Sequence, residues 1–179
     1  MTDEPGEKKG RFKLALIYHP DFATRGYPAL RDRVAPAYDE LRARGILERE
    51  GVEVLTAEPA GEELAARIHS APHLRGVMNS GYYEISLLSA GAVIQGASEV
   101  ASGRADNAFC FVGAAGHHAS ADGFWGFCYL NDVAMAVTHL RDSEPGMRFA
   151  IIDIDPHFGD GTRDILGPVS STHLTPPTI

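Results

Sequence analysis

Four short apolar runs punctuate the chain at Lys13–Tyr18, Val52–Leu55, Ala108–Val112 and Phe149–Ile154, each closed by polar or turn-forming residues. Runs of this length, lacking strict polar alternation, are what strands show when both faces of the sheet are covered. Between them the spacing predicts helices over Pro28–Arg44, Glu62–His69, Ile85–Ser102 and Asn131–Arg141. In the last of these, Val133, Ala136, Val137 and Leu140 recur at helical intervals, and Asp132 supports the helix start electrostatically. Strand alternating with helix argues for an α/β fold, a three-layer αβα arrangement around a mostly parallel sheet. Gly103 and Pro145-Gly146 are ordinary breakers, and no repeat or low-complexity segment occurs, so residues 1–179 read as a single domain. The charged stretch Met1–Arg11 is expected to be flexible. The tail Gly167–Ile179, with Pro168, Pro176 and Pro177, does not read as a further strand and helix.

Composition narrows the class. With 179 residues and 44% apolar content, one domain with a sizeable core is expected. No apolar run is long enough to cross a bilayer, and no apolar leader opens the chain. Only Cys110 and Cys128 occur, which excludes a disulfide framework and makes the cytoplasm the expected location. The net charge is −8 and no Lys/Arg block is present, so the footprint of a nucleic-acid-binding protein is missing. Solubility alone accounts for an acidic balance, although it also favours a cationic substrate such as a polyamine or a lysine-rich tail.

Chemistry enters where the last apolar run meets Asp153-Ile154-Asp155-Pro156-His157. Residues two apart on an extended backbone share a face, so Asp153, Asp155 and His157 are expected on one side of the strand's C-terminal end, where open α/β sheets place their sites. Pro156 favours that extended conformation. A carboxylate and an imidazole converging in this way suit a divalent ion, zinc foremost. Taken alone, the same residues also read as a βα turn in which one Asp caps the next helix. A second cluster, Gly116-His117-His118-Ala119, follows the third apolar run, and adjacent histidines there are well placed for acid–base work.

Taken in order, His117-His118, Gly126-Phe127-Cys128-Tyr129-Leu130-Asn131-Asp132, Asp153-Ile154-Asp155-Pro156-His157 and Gly159-Asp160-Gly161-Thr162 resemble the signature of the histone deacetylase superfamily. Leu14–Pro20 looks like that family's first strand. Ile68-His69-Ser70 and Ser80-Gly81-Tyr82 to Gly96 look like its helical region before the histidine pair. The resemblance implies an arginase/deacetylase-like fold and a metal-dependent amidohydrolase that removes an acyl group from an acetylated lysine, polyamine or small amine. Asp155 and His157 would hold the zinc. His117 and His118 would serve as general base and acid, with Asp153 the partner of His117 and Asp160 the partner of His118. Gly126 and Phe127 would line the tunnel for the acyl-lysine-like stem, and Asp153 with nearby main-chain carbonyls would hold the family's potassium ion.

Other residues have plainer readings. Trp125 and Phe127 also fit simple core aromatics, Asp132 a helix cap, and His19, His69, His73 and His139 surface or packing histidines. The departures from the family matter as well. A hydrolytic zinc usually has three protein ligands, and only two stand in obvious positions. The family's second aspartate ligand and its transition-state tyrosine come from a later part of its domain, so the chain is expected to be the N-terminal part, cut short on its C-terminal side. Phe158 replaces a polar residue often found after the metal histidine. Three readings follow: a deacetylase, with His173 or a neighbouring chain giving the third ligand; a catalytically silent binding or assembly module; or a di-manganese ureohydrolase, which expects a different step after the aspartate. An exposed sheet edge would recruit a partner strand or a second copy, giving a homo-oligomer.

Overall fold

The computed structural model describes residues 12–167 and 172–175; Met1–Arg11 and the remainder of the tail lie outside the described residues. Strand β1 (Phe12–Tyr18) is central, with β2 (Val52–Thr56) on one side and β3 (Ala105–Cys110) on the other, all parallel. Leu14 stands opposite both Val52 and Asn107. Ala15, Leu16 and Ile17 are consecutive and all buried, which requires cover on both faces of the sheet and explains an apolar run without alternation.

Two contacts identify the covering layers. A side chain at Gly96 of α5 (Tyr83–Ala101) would meet Cys110, Ala108 and Ile17, so α5 lies on their face. On the opposite face Tyr18 stacks on Tyr38 of α2 (Pro28–Ala43), ring centroids 3.6 Å apart, and both rings meet Phe111 edge-on. The result is the expected three-layer αβα arrangement. Helix α3 (Glu62–Ile68) and α6 (Asp132–Ser143) extend the α5 layer, with α6 packed on both α5 and α3. Asn131 caps α6 by accepting the Ala134 N–H at 3.0 Å.

Three short helices were not legible as periodic patterns: α1 (Pro20–Thr24), α4 (Ala71–Ser80) and α7 (Asp160–Leu166). Strand β4 (Phe149–Ile152) pairs in parallel with β5 (Thr172–Thr175) in a separate two-stranded sheet. This corrects the reading of the proline-rich tail, because main-chain pairing with β4 outweighs the local breakers at its ends. β4 also stops two residues short of Ile154, leaving Ile152 and Ile154 at 75% and 88% exposure. Among the described residues no helix is long and apolar enough to cross a membrane.

Candidate functional site

β3 delivers the chain into a loop whose course is set by buried hydrogen bonds. Ser89 of α5 accepts the N–H groups of Gly113 and Ala114 at 3.0 and 3.1 Å. Ala115 then exchanges main-chain bonds with the 127–129 segment, donating to Phe127 O and accepting from Tyr129 N at 3.1 Å each. The two segments that carry the family-like motifs are thereby laid side by side, and His117 and His118 follow at once.

The two imidazoles are adjacent, ring centroids 4.0 Å apart, and each has its own carboxylate. His117 Nδ1 is 2.9 Å from Asp153 Oδ2, and His118 Nδ1 is 2.6 Å from Asp160 Oδ1. An ionised carboxylate only accepts, so Nδ1 carries the hydrogen in both rings and each Nε2 is left to take or give a proton. The environments differ: the His118 side chain is nearly enclosed, that of His117 one-fifth exposed. Asp153 does a second task, accepting the Asp155 N–H at 3.0 Å and so tying the His117 carboxylate to the next turn. A Cβ at Gly159 would lie 2.5 Å from Asp153 Oδ2 and 3.4 Å from His117 Nδ1, so only glycine permits this approach.

Asp155 and His157 come together by a different route from the one the sequence suggested. The strand has ended, and His157 lies in a bend, exposed, rather than on a strand face. Asp155 Oδ1 accepts both the His157 backbone N–H at 2.8 Å and Nδ1 at 3.0 Å, an Asx-type turn that folds the imidazole back on the carboxylate. The His157 N–H is the first cause holding the Asp155 carboxyl below its usual range, and the imidazole adds to it. A carboxylate and an imidazole are donor types that zinc takes, and here the two stand 3.0 Å apart in a hydrogen bond with the hydrogen on Nδ1. Among the described residues no third His, Cys, Asp or Glu joins them, and the side chain of His173 lies outside the described residues. Both Asp153 oxygens take part in hydrogen bonds, Oδ2 with His117 Nδ1 and Oδ1 with the Asp155 N–H.

Gly126 and Phe127 flank the histidines. Gly126 has φ +64°, a left-handed turn suited to glycine, and a Cβ there would stand 3.9 Å from the His118 ring. Phe127 is half-buried against Tyr27, with ring centroids 5.0 Å apart. Sequence reasoning gave plainer roles to four neighbours. Trp125 lies on the face of His118 and donates its indole N–H to Asp160 Oδ2 at 3.0 Å. Asp132 retains some exposed surface, yet protein surrounds its carboxyl densely, and desolvation pushes it up to about 6 against the pull of main-chain bonds and His117. His69 and His73 are both buried beneath the loop. Burial pushes the Cys128 thiol up to about 12, so it stays protonated beside the site. A cavity of about 600 Å³ between α3, α5 and α6, lined by Leu64, Ile94, Gln95 and His139, shares no residue with this cluster.

Residues 74–173 match the histone deacetylase domain family. A probable deacetylase of Archaeoglobus fulgidus is 31% identical over 84% of this chain and 47% of its own length. The acetylpolyamine amidohydrolase of Mycoplana ramosa is 39% identical over 49% of this chain and 25% of its own. The chain thus spans less than half the length of these curated relatives. Among solved structures, the HDA15 HD domain superposes with a TM-score of 0.80 at 20% identity, covering 91% of this chain and 52% of that one, a likeness of fold. The family is one of generally metal-dependent deacetylases and amidohydrolases. Matched over more than half its length and carrying that fold, the chain belongs to the histone deacetylase domain family.

Proposed function

We propose that the chain carries the acid–base part of a zinc-dependent deacetylase site that removes an acyl group from an acetylated lysine, polyamine or small amine. One observation supports this above the others: two adjacent imidazoles, each donating Nδ1–H to a separate carboxylate, stand beside an Asp155 and His157 pair of metal-ligand chemistry. A lone buried histidine needs one partner; two matched pairs on neighbouring residues suit a reaction that moves one proton from water and delivers one to an amine.

Asp155 and His157 would hold the ion, which when bound polarises the amide carbonyl and acidifies a water. Asp153 fixes His117 with Nε2 bare, ready to accept a proton, and Asp160 does the same for His118. Whichever ring takes the proton from water, its carboxylate stabilises the resulting imidazolium, which then returns that proton from Nε2 to the leaving nitrogen, with the second ring 4.0 Å away. Gly126 leaves space over His118, and Phe127 offers an aromatic wall to an aliphatic stem. The net charge of −8 suits an amine-bearing substrate, and the name of the Mycoplana ramosa relative supports the same class.

The reading requires a third metal ligand beyond Asp155 and His157 and a donor for the oxyanion. Potassium would rest on main-chain carbonyls near Asp155 and His157. The exposed Ile152 and Ile154 support association with a partner strand or second copy, and the two free thiols support a cytoplasmic location. The test is zinc-dependent release of acetate from an acetyl-lysine peptide and an acetylated polyamine, with His118→Ala as control. Slow release that requires zinc and His118 supports the enzyme. A folded, zinc-loaded chain that releases none is the silent binding module.

A further inference from the structure

The three carbonyls that directly follow His118 are each held by a different donor. Ala119 O accepts from Asn131 Nδ2 at 3.0 Å, Ser120 O lies 2.8 Å from His69 Nδ1, and Ala121 O accepts from the Ser70 N–H at 2.8 Å. His69 stands at the end of α3, 2% exposed, and carries the middle bond. Its other nitrogen, Nε2, is 3.0 Å from the Asn131 backbone nitrogen.

Those two partners settle where the hydrogen sits. A carbonyl only accepts, so His69 Nδ1 bears the hydrogen; a backbone N–H only donates, so Nε2 is bare. The ring is a neutral imidazole of one tautomer, and a second proton would face the Asn131 N–H. Burial, then the neighbouring His73, push its pKa down to about 4, in keeping with that geometry. His73 stacks on it with ring centroids 4.2 Å apart and donates from Nε2 to Tyr129 O at 2.8 Å. Among the described residues His73 Nδ1 has no hydrogen-bond partner, and burial holds the ring's pKa below its ordinary value against the pull of Tyr129 O, Asp122 and Gly123. Asn131 closes the circuit: it donates to Thr162 Oγ1 at 3.1 Å, and the Thr162 N–H donates to His117 O at 3.1 Å.

We infer that His69 is a positioning residue, a neutral imidazole strut between Ser120 and Asn131 that fixes the backbone aiming His117 and His118. The role rests on the deacetylase reading for its purpose, not for its geometry. Without the ring, a part-buried carbonyl and a buried N–H on the two motif-bearing segments lose their partners together. The histidines keep their carboxylates but lose a fixed backbone.

The test uses nitrogen NMR on the 179-residue chain at pH 7. Long-range proton–nitrogen correlations are expected to show His69 neutral with its hydrogen on Nδ1; a hydrogen on Nε2, or a charged ring, overturns the inference. Exchange of the Asn131 amide hydrogen is expected to be about tenfold faster in His69→Ala, with the His118 ring signals displaced. In His69→Gln, whose side-chain oxygen can accept from the Asn131 N–H, protection and the His118 signals are expected to return most of the way. Equal loss in both variants, or no loss in either, overturns it. Should His69→Ala fail to fold, the wild-type tautomer and the folded His69→Gln decide alone. No metal or substrate is used, so failure here leaves the deacetylase reading standing, and a chain that releases no acetate leaves the His69 result standing.

Discussion

The indole of Trp125 lies face to face with the imidazole of His118, ring centroids 3.5 Å apart and planes within 28°, and both rings donate to the one carboxylate of Asp160. Burial pushes the Asp160 carboxyl up, but the bonds from His118 and Trp125, with the His118 charge and the Gly161 N–H, together hold the group below its ordinary value. Each carboxylate oxygen is thus committed, and Asp160 cannot rotate away from His118 without breaking a bond to an aromatic ring.

Trp125 is the only tryptophan, so its fluorescence reports this contact without interference. In His118→Ala the indole loses its stacking partner and gains water on that face. Its emission is expected to shift to the red while circular dichroism stays unchanged. An emission spectrum identical to wild type would mean that the two rings are not stacked in solution.

Zinc titration separates the metal ligands from the scaffold. His157 is exposed and sits in a bend after β4, so His157→Ala is expected to abolish stoichiometric zinc binding while moving stability by no more than about 0.5 kcal/mol. Asp155→Ala should also lose the metal. It should cost more stability, because the Asx-type turn and its two donated bonds go with it. Wild-type zinc affinity in His157→Ala would place the ion elsewhere.

Two buried groups pull the pH dependence in opposite directions. The folded value of His69 is about 4 against 6.5 unfolded, so the unfolded chain takes up the proton first and stability falls as pH drops between those values. Asp132 is about 6 folded against 3.8 unfolded; its contribution is fully present below 3.8 and is lost as pH rises to 6. Asp155 and Asp160, both lowered, add stability above the unfolded carboxylate value that is lost in acid, a small effect for side chains nearly half exposed. Removing the His69 arm by His69→Gln is expected to reduce the slope of unfolding free energy against pH, between pH 4 and 6, by up to about 1.4 kcal/mol per unit. Denaturant melts of the two proteins across that range measure it. Parallel slopes would show that His69 titrates normally in the folded chain.

Strands with both faces covered leave a clear mark in sequence, and β1 was placed to within a residue because Ala15, Leu16 and Ile17 must all be apolar at once. The pairing of His117 with Asp153 and His118 with Asp160, across 36 and 42 residues, was legible only through the resemblance of the ordered motifs to a known family. What the sequence hid were contacts made across long separations. Trp125 is 35 residues from Asp160, and His69 is 51 from Ser120 and 62 from Asn131; no local pattern announces such bonds. The approach of His157 to Asp155 was anticipated, but as a strand face rather than an Asx-type turn, because where β4 stops depends on what it pairs with. β5 was missed for the same reason: its parallel register with β4, Phe149 opposite Thr172, outweighs the nearby prolines.

The central claim is that His117 and His118, each backed by a carboxylate, move the protons of a deacetylation beside Asp155 and His157. The measurement that tests it most directly is acetate release from an acetyl-lysine peptide by the 179-residue chain, with and without zinc, beside His117→Ala and His118→Ala. With only two candidate metal ligands among the described residues and no oxyanion donor placed, the expected rate is on the order of 10²- to 10³-fold below that of a complete site. It should depend on zinc and be lost in both variants. Release that persists in the folded variants, or none from a folded, zinc-loaded wild-type chain, would contradict the account.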